Sequence, residues 1–560
     1  MIPETPHTAA QATPVLEIRD LHVWFRSDDG TEIETVRGIN LSVAPGERLG
    51  LVGESGCGKT TTILAALGLL PANAVVSGEV RFNGVDILAG GDAGIRQYRW
   101  NDIAMVFQGA MSAFNPVKSI GWQIEEALRF HGREPKSIPG RVRELLALVG
   151  LPAGTETRYP HELSGGMKQR AIIAMALSCD PQVLLADEPT TALDVVVQEQ
   201  ILDLLVELSE RLGLAVILVT HDLGVVAQSC ARAAVMRGGL IEETGSVTQL
   251  YRAPKSDYTR ELFESTPDID SVARTSPGAT VQPGATELDA ARPNALLRVE
   301  NLTVEYPGRP ARAAVSDVSF TVARGELVAL VGQSGCGKTT TLQAVLGMIP
   351  GARGSIAVDG ASVLGARRAE RRALRRLVQP IFQDPYEALD VRFTVGDTLE
   401  EPLAIHRVGR TRAERRARAI SALESVGLTP PEQFIDRYPH QLSGGQRQRV
   451  AIAAGLVLEP QLLLADEPVS MLDVSVRSGV LQLLADLKAS AGLGVLMITH
   501  DLSTAAEYAD RIVVMREGQI IESGTPAQIV HQPKDPYTRL LIDSIPSPDP
   551  DRKAARVAGS

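Results

Sequence analysis

LVGESGCGKTTTILAALGLL, residues 51–70, and LVGQSGCGKTTTLQAVLGMI, residues 330–349, are the two stretches that decide the fold. Each places the spacing Gly-x4-Gly-Lys-Thr between an apolar run typical of a strand and a helical pattern. In such a turn, backbone N–H groups and the helix dipole converge on a phosphate, the lysine reaches the β- and γ-phosphates, and the threonine binds Mg²⁺. The structural alternative is a glycine-rich turn that binds no ligand, and the occurrence of two such matches makes this alternative much weaker than a single match would. The sequence therefore predicts two phosphate-binding loops, with Gly53, Ser55, Gly56, Cys57, Gly58, Lys59, Thr60 and Thr61 in the first and Gly332, Ser334, Gly335, Cys336, Gly337, Lys338, Thr339 and Thr340 in the second.

The chain is a tandem duplication. Lys338 follows Lys59 by 279 positions (338 − 59), and several later motifs keep this offset. A chain of 560 residues is too long for one core, since single domains stop growing at roughly 250–300 residues. Between the copies lies a stretch rich in Pro, Ala, Thr and Gly, which is typical of a flexible linker. We therefore predict an N-terminal tail at 1–14, domains at 15–263 and 297–547, a linker at 264–296 and a C-terminal tail at 548–560.

Composition excludes several classes of protein. The net charge of −11 gives no general electrostatic reason to bind nucleic acid. No apolar run reaches the ~18–20 residues that span a bilayer, and the N-terminus lacks the pattern of a secretory signal, so we expect any membrane association to be peripheral. The four cysteines form no CxxC pair, which argues against disulfides or a zinc cluster and fits a reducing compartment. Cys57 and Cys336 are interpreted as small loop residues, with a redox role as the alternative.

Polar residues follow buried strand-like runs in each half, as expected of an α/β domain with a largely parallel sheet. The runs at 183–189 and 462–468 end in paired carboxylates, and those near 215–220 and 494–499 end in a histidine. The first carboxylate of each pair is placed to hold Mg²⁺ and the second to act as general base toward water. The structural alternative is that the carboxylates cap a helix and that the histidines only cap the ends of their strands. The candidates are Asp187, Glu188 and His221 in the first half and Asp466, Glu467 and His500 in the second.

The motifs LSGGMKQR at 163–170 and LSGGQRQR at 442–449 each precede a helical run, where the serine can cap the helix and the glycine N–H groups can bind an anion. With these motifs, the chain resembles the ATP-binding cassette (ABC) superfamily over both halves. The resemblance implies two tandem nucleotide-binding domains, each with a mostly parallel RecA-like core, an antiparallel β subdomain and a helical signature subdomain. It implies further ATP-site residues: Gln108 and Gln383, which also approach Mg²⁺, Asp194 and Asp473 after the carboxylates, Ser164, Gly165, Gly166, Ser443, Gly444 and Gly445 of the signatures, and Phe25 and Tyr306 as adenine-stacking aromatics.

In that superfamily two cassettes associate head to tail. The resemblance therefore implies that the loop of Lys59 is completed by the signature of Ser443, and the loop of Lys338 by the signature of Ser164. ATP binding would close the pair and hydrolysis would reopen it.

Segments around the signatures and at the end of each half, such as RYPHELSGG and HQPKDPYTRLLIDSIP, resemble the ATPases of dipeptide and oligopeptide permeases. This resemblance implies a peripheral ATPase at the cytoplasmic face of the membrane, with two transmembrane permease subunits and an extracytoplasmic solute-binding protein as partners and ATP and Mg²⁺ as ligands. Some relatives carry a C-terminal cysteine cluster for iron–sulfur. No cysteine follows Cys336, so no such cluster is predicted.

Other functions remain as alternatives: import of nickel or another small solute, or a soluble tandem ATPase on ribosomes or nucleic acid. Soluble translation factors usually have a charged helical linker, DNA-repair ATPases of this type carry zinc-binding cysteines, and tandem sugar-import ATPases often have one degraded site. None of these features is present. The basic stretch RRAERRALRR, residues 367–376, is the strongest evidence for nucleic acid, but its spacing is more typical of a solvated helix face.

Overall fold

The computed structural model describes residues 13–27, 30–109, 113–191, 193–264, 266, 269, 295–306, 312–384, 388–470, 472 and 474–552. Contacts divide the chain into two units. The first comprises 1–193, 197–266 and 546–560, and the second comprises 194–196 and 267–545. Most of the stretch expected to be a linker lies outside the described residues, and the domain boundaries expected from the sequence remain predictions.

The first half begins with an antiparallel sheet whose strands pair in the order β2-β1-β4-β5. Alternation of apolar and polar residues in the first strand buries one of its faces, which packs against the core. The strands are β1 (Leu16–Arg26), β2 (Glu32–Val43), β4 (Ala74–Phe82) and β5 (Val85–Asp86).

A second sheet of six strands forms the centre of the first half, in the order β10-β9-β3-β8-β7-β6. All neighbours are parallel except the β9–β10 pair. The central strands are apolar on both faces because helices and the antiparallel sheet cover them. The strands are β3 (Arg48–Val52), β6 (Ile103–Val106), β7 (Val183–Asp187), β8 (Ala215–Thr220), β9 (Arg232–Arg237) and β10 (Leu240–Ser246). The helices are α1 (Lys59–Ala66), α2 (Gly91–Arg96), α3 (Ile120–Phe130), α4 (Ile138–Leu148), α5 (Gly165–Ala176), α6 (Val195–Leu212), α7 (Leu223–Ser229), α8 (Val247–Arg252) and α9 (Asp257–Glu264).

The second half repeats this architecture, with one sheet in the order β12-β11-β14-β15 and another in the order β16-β17-β18-β13-β19-β20. Its strands are β11 (Ala295–Tyr306), β12 (Arg312–Ala323), β13 (Leu327–Val331), β14 (Arg353–Val358), β15 (Ala361–Ser362), β16 (Val378–Ile381), β17 (Leu462–Asp466), β18 (Gly494–Thr499), β19 (Arg511–Arg516) and β20 (Gln519–Gly524). Its helices are α10 (Lys338–Val345), α11 (Arg368–Leu377), α12 (Val395–His406), α13 (Arg412–Ser425), α14 (Gly444–Leu456), α15 (Val474–Ala491), α16 (Leu502–Tyr508), α17 (Pro526–His531) and α18 (Pro536–Asp543).

Capping side chains start several of these helices where the sequence places a small polar residue. Asp222 accepts the N–H groups of Gly224 and Val225 at the start of α7, and Ser119 caps α3. No described helix is both long and apolar enough to cross a membrane. The predicted fold class, two α/β cassettes that each carry an antiparallel sheet and a mostly parallel one, is confirmed.

Candidate nucleotide-binding sites

The parallel sheet of the first half brings four polar loops to one edge, because β3, β6, β7 and β8 all end there. The register pairs Val52 with Thr220, Asp187 with Val219 and Val106 with Ala186. The phosphate loop, Gln108, the Asp187 pair and His221 follow these strand ends directly. This edge of a parallel sheet is where α/β proteins bind their ligands.

The first phosphate loop is held from within by its lysine. The Nζ atom of Lys59 donates to the carbonyl oxygens of Gly53 and Glu54 at 2.7 and 2.8 Å. In the second loop, Lys338 donates to the carbonyls of Gly332 and Gln333 at 2.6 and 3.0 Å. Each buried ammonium group therefore fixes the loop around a centre of positive charge.

Two glycines of each loop are required by their surroundings. A Cβ atom at Gly53 would lie 2.1 Å from the carbonyl oxygen of Met236, and one at Gly58 would lie 2.8 Å from that of Thr35. Gly58 also has a φ of 105°, which side chains disfavour. The Gly332 position repeats the 2.1 Å approach, to Met515. The loop backbone can therefore curl tightly only without side chains at these positions.

The loop thiols lie beside the lysines. Cys57 Sγ is 3.7 Å from Lys59 Nζ, and Cys336 Sγ is 3.9 Å from Lys338 Nζ. Burial raises the pKa of both thiols, although the ammonium groups oppose this shift. Protonated, buried thiols are poor nucleophiles, which favours the interpretation of both cysteines as packing residues.

The residues expected to hold Mg²⁺ fit that ion. Thr60 Oγ1 donates to Asp187 Oδ1 at 3.1 Å, and Thr339 bonds Asp466 in the same way. A hydroxyl and a carboxylate are hard oxygen donors of the kind that Mg²⁺ prefers, and they meet directly at the mouth of each loop. Burial raises the pKa of Asp187 to about 6 and raises that of Asp466, so each carboxylate lies where a cation would stabilise its charge.

Glu188 is held by three side chains. Gln108 Nε2 donates to its Oε2 at 2.7 Å, Thr191 Oγ1 donates to the same oxygen at 2.9 Å, and His221 Nδ1 lies 2.8 Å from Oε1. Burial acts to raise the pKa of this carboxyl, but the hydrogen bond and charge of His221, followed by Thr191 and Lys59, bring it below its usual value. The carboxylate is therefore ionised and oriented, as a general base must be.

The second half repeats this arrangement with one difference. Gln383 Nε2 donates to Glu467 Oε2 at 3.0 Å, and His500 Nδ1 lies 3.2 Å from Oε1. The pKa of Glu467 is lowered in spite of burial, and that of His500 is raised in spite of burial because Glu467 bonds it. Ser470, however, donates to the backbone carbonyl of Glu467 at 3.1 Å. The hydroxyl that touches the carboxylate in the first half thus touches only the backbone in the second.

Both glutamates have a left-handed backbone, with φ of 42° at Glu188 and 44° at Glu467. Non-glycine residues rarely adopt this conformation, and it concentrates at functional sites. The N–H groups of the two residues bond Val219 and Ile498 at 2.9 Å, which fixes the turn. The strained turn aims each side chain away from the strand and toward its glutamine and histidine.

The signature serines cap their helices as predicted. Ser164 Oγ accepts the N–H of Met167 at the start of α5, and Ser443 Oγ accepts that of Gln446 at the start of α14. The next two glycines begin each helix, and a Cβ atom at Gly166 would lie 2.5 Å from Val197 Cγ1. A glycine at this position therefore allows the start of α5 to pack closely against Val197.

The remaining predicted residues occupy several environments. Phe25 is half-buried against the core of the first half, whereas the Tyr306 ring is 45% exposed. Asp194 lies just before α6, and Asp473 lies outside the described residues. The roles of all four remain predictions.

Sequence reasoning missed two kinds of site residue. Thr191 was passed over because nothing in the motif indicates which way its hydroxyl points. Tyr537, in the closing segment of the second half, is buried, and its hydroxyl accepts the N–H of Gln333 inside the phosphate loop at 3.0 Å. Its counterpart Tyr258 is also buried and lies under the guanidinium of Arg237 at 4.5 Å. The tyrosine that recurs in the closing segments of both halves is the sequence signal that could have pointed to these two residues.

Family models and curated relatives match both halves of the chain. The "ABC transporter" family model matches residues 36–191 and 315–470, and the "Oligopeptide/dipeptide transporter, C-terminal region" model matches 243–290 and 521–560. The chain is 40% identical to the glutathione import ATP-binding protein GsiA of Pectobacterium atrosepticum, over 96% of this chain and 90% of that protein. It is 39% identical to the oligopeptide transport ATP-binding protein OppD of Mycobacterium bovis, over 97% and 100%. A solved dimeric ATP-binding cassette with ADP and phosphate is 31% identical over 41% of this chain and 98% of that chain, with a TM-score of 0.38.

The phosphate loops, ionised glutamates and capped signature helices occur once in each half, and the two family models match both halves. This protein is therefore an ATPase with two cassettes that belongs to the ABC transporter family and carries the oligopeptide/dipeptide transporter C-terminal region.

Proposed function

We propose that this chain powers the uptake of di- and oligopeptides, at the cytoplasmic face of the membrane, through two separate transmembrane permease subunits. An extracytoplasmic solute-binding protein would deliver the cargo. The observation that carries this proposal is the pairing of two intact ATP sites with the peptide-transporter C-terminal region in both halves. The names of the relatives point the same way, since glutathione is itself a short peptide.

The geometry supports a mechanism of hydrolysis. The phosphate loop and Lys59 would bind the phosphates, and Thr60, Asp187 and Gln108 are the residues that would hold Mg²⁺. When bound, this ion neutralises charge on the phosphates. Glu188 would accept a proton from the attacking water while His221 holds its carboxylate, and His221 would also contact the γ-phosphate. Glu467 and His500 would act in the same way in the second half.

Uptake assays test the proposed cargo. Cells that lack this chain would receive either the wild type or the double variant Glu188→Gln/Glu467→Gln, which serves as the matched inactive control. We expect the wild type alone to restore uptake of labelled di- and oligopeptides. Restoration confined to nickel or to sugars would overturn the peptide assignment. Cosedimentation with ribosomes rather than membranes would favour the soluble alternative.

The segments that follow Gln108 and Gln383 are proposed to dock on the permease, and the sequence motif placed this contact near Phe114 to Pro116 in the first half. Phe114 is buried in the core of its half, so it is a poor docking residue, whereas Val117 is 73% exposed and Val391 is 63% exposed. Exposed apolar side chains in corresponding segments suit a protein contact. Val117→Asp should reduce transport while basal ATP hydrolysis is retained. Equal loss of both activities in a folded variant would assign the segment to the active site instead.

We also propose that each ATP site is completed by the signature of the other half. On the background Glu188→Gln/Glu467→Gln, occluded ATP can be counted per chain. Adding Lys59→Ala with Ser443→Arg damages one site twice, whereas Lys59→Ala with Ser164→Arg damages both sites. More occluded ATP with the Ser443 change supports shared sites. More occluded ATP with the Ser164 change means that each half completes its own site.

A further inference from the structure

The second half carries a basic surface that the nucleotide sites do not use. We define the basic face as the six arginines Arg367, Arg368, Arg371, Arg372, Arg375 and Arg376, which lie on α11 or directly before it and are all exposed. The acidic residue within this stretch, Glu370, accepts the backbone N–H of Arg367 at 2.7 Å. Its carboxylate therefore caps the helix.

None of the six guanidinium groups has a carboxylate within 4.0 Å among the residues that the structure describes. Two of them bond backbone carbonyls: Arg371 donates to Ala366 and Arg372 to Ile405. The guanidinium groups of the other four, Arg367, Arg368, Arg375 and Arg376, have neither kind of partner among those residues. An uncompensated row of guanidinium groups is unusual for a chain whose net charge is −11. It creates a local positive potential that attracts an anionic partner.

The first half provides an internal comparison. Counting back from β6 and β16, the stretch 367–376 corresponds to 92–101, which contains only two arginines. Arg96 lies 3.6 Å from Asp92, and Arg99 lies 2.8 Å from the same carboxylate and donates to the carbonyls of Leu67 and Gly68. One carboxylate therefore pairs with both arginines, so the first half has no row of unpaired guanidinium groups at this position.

The partner must also suit apolar surface beside the arginines. A shallow depression beside α11 is lined by Arg371 and Arg375 and by the buried side chains of Val345, Val363, Leu374 and Val378. Ile405, which bonds Arg372 through its carbonyl, is 58% exposed. The next residue, His406, has a lowered pKa because of burial and the nearby Arg372, Arg376 and Arg375. The exposed Ile405 side chain therefore lies beside the cations of the basic face.

We propose that the basic face binds the anionic phospholipid headgroups of a membrane surface. Guanidinium groups pair with phosphate in a bidentate fork, and clusters of four to eight basic residues are typical of attraction to anionic lipid. The exposed Ile405 side chain, whose backbone carbonyl bonds Arg372, suits the interfacial layer just below the headgroups. RNA would engage the cations through its phosphates but would leave this exposed isoleucine without an apolar partner.

Flotation with vesicles tests the proposal on the full chain, without permease subunits or ATP. The probes are vesicles of phosphatidylcholine alone and vesicles that also contain phosphatidylglycerol. Each basic residue near an anionic surface strengthens binding about fivefold, so four replacements should weaken it by about 10²–10³-fold, or by at least tenfold once salt screening is included. We therefore expect Arg367→Gln/Arg368→Gln/Arg375→Gln/Arg376→Gln to lose binding to the anionic vesicles.

The matched control removes four exposed cations elsewhere in the second half: Arg324→Gln/Arg353→Gln/Lys534→Gln/Arg539→Gln. It changes the net charge equally and should bind as the wild type does. Basal ATP hydrolysis should be normal in the quadruple variant of the basic face, which shows that it folds. The proposal is overturned if that variant still floats, if phosphatidylcholine alone binds as well, or if the chain binds polyuridine but no vesicle. Since the assay contains no transport step, its outcome is independent of the peptide assignment.

Discussion

Glu326→Gln should destabilise the second half of the chain much more than Glu47→Gln destabilises the first. The two glutamates occupy equivalent positions but differ in burial. Arg511 Nε lies 3.0 Å from Glu326 Oε1, with side chains only 8% and 10% exposed. Arg232 Nε lies 2.8 Å from Glu47 Oε1, with side chains 34% and 21% exposed. Each glutamate also accepts one backbone N–H, at 2.7 or 2.8 Å.

The expected magnitude follows from that burial. Removing one partner of a buried ion pair costs about 3–5 kcal/mol because a charge is left uncompensated. Glutamine keeps one acceptor oxygen, so we expect Glu326→Gln to lower the free energy of unfolding by about 3 kcal/mol, the lower end of this range. The Arg232–Glu47 pair is partly open to solvent, which screens the interaction, so we expect a loss of only about 1 kcal/mol for Glu47→Gln. With a urea dependence near 3 kcal/mol per M, the midpoints should fall by about 1 M and about 0.3 M.

The position of the tryptophans makes this measurable in the full chain. All three, Trp24, Trp100 and Trp122, lie in the first half. Tryptophan fluorescence therefore follows unfolding of the first half, whereas far-UV circular dichroism follows both halves. Glu326→Gln should shift a dichroism transition and leave the fluorescence midpoint near that of the wild type. Equal shifts for the two variants would refute the argument from burial.

Three further predictions concern the sites. Glu188→Gln/Glu467→Gln should bind ATP normally but lower turnover by about 10²–10⁴-fold, since the general base is lost; near-normal turnover would remove the glutamates from that role. Thr191→Ala should slow hydrolysis in the first half severalfold because the Thr191 hydroxyl bonds the Glu188 carboxylate, whereas Ser470→Ala should leave hydrolysis in the second half unchanged. Single-turnover rates test this if the site of the other half is silenced, with Glu467→Gln for the Thr191 variant and Glu188→Gln for the Ser470 variant. Equal effects of the two substitutions would contradict the prediction. Tyr537→Phe removes the acceptor of the Gln333 N–H and should weaken ATP affinity more than it lowers the unfolding temperature, as nucleotide titration and thermal melts of the same sample can show.

Much of the site could be predicted from sequence because its residues follow strand ends. Parallel strands finish at one edge, so the order of Lys59, Gln108, Asp187 and His221 along the chain was sufficient to bring them together. The alternation of strand-like and helix-like runs, found in each half, likewise predicted two α/β domains. The signature serines could be assigned as caps because capping is a local property of the chain.

Other contacts depend on packing that no local pattern encodes. Thr191 and Ser470 occupy equivalent positions, yet one hydroxyl reaches the carboxylate and the other the backbone. Tyr537 meets Gln333 across 204 positions of sequence, and a tyrosine on an amphipathic helix is equally suited to an ordinary core. The burial of Phe114 also went unforeseen, because the motif that contains it suggested only a docking segment.

The left-handed turn at each glutamate has an evolutionary consequence. A glycine adopts φ values of 42° and 44° without the backbone strain of about 1–2 kcal/mol that a side chain meets there, so Glu188→Gly or Glu467→Gly relieves that strain while it removes the general base. A mutation that replaces either glutamate with glycine would therefore relieve backbone strain at that site. A duplicated gene whose second copy were idle would tend to lose its glutamate by this route. This chain has the strained glutamate in both halves, which is the pattern expected of two working sites.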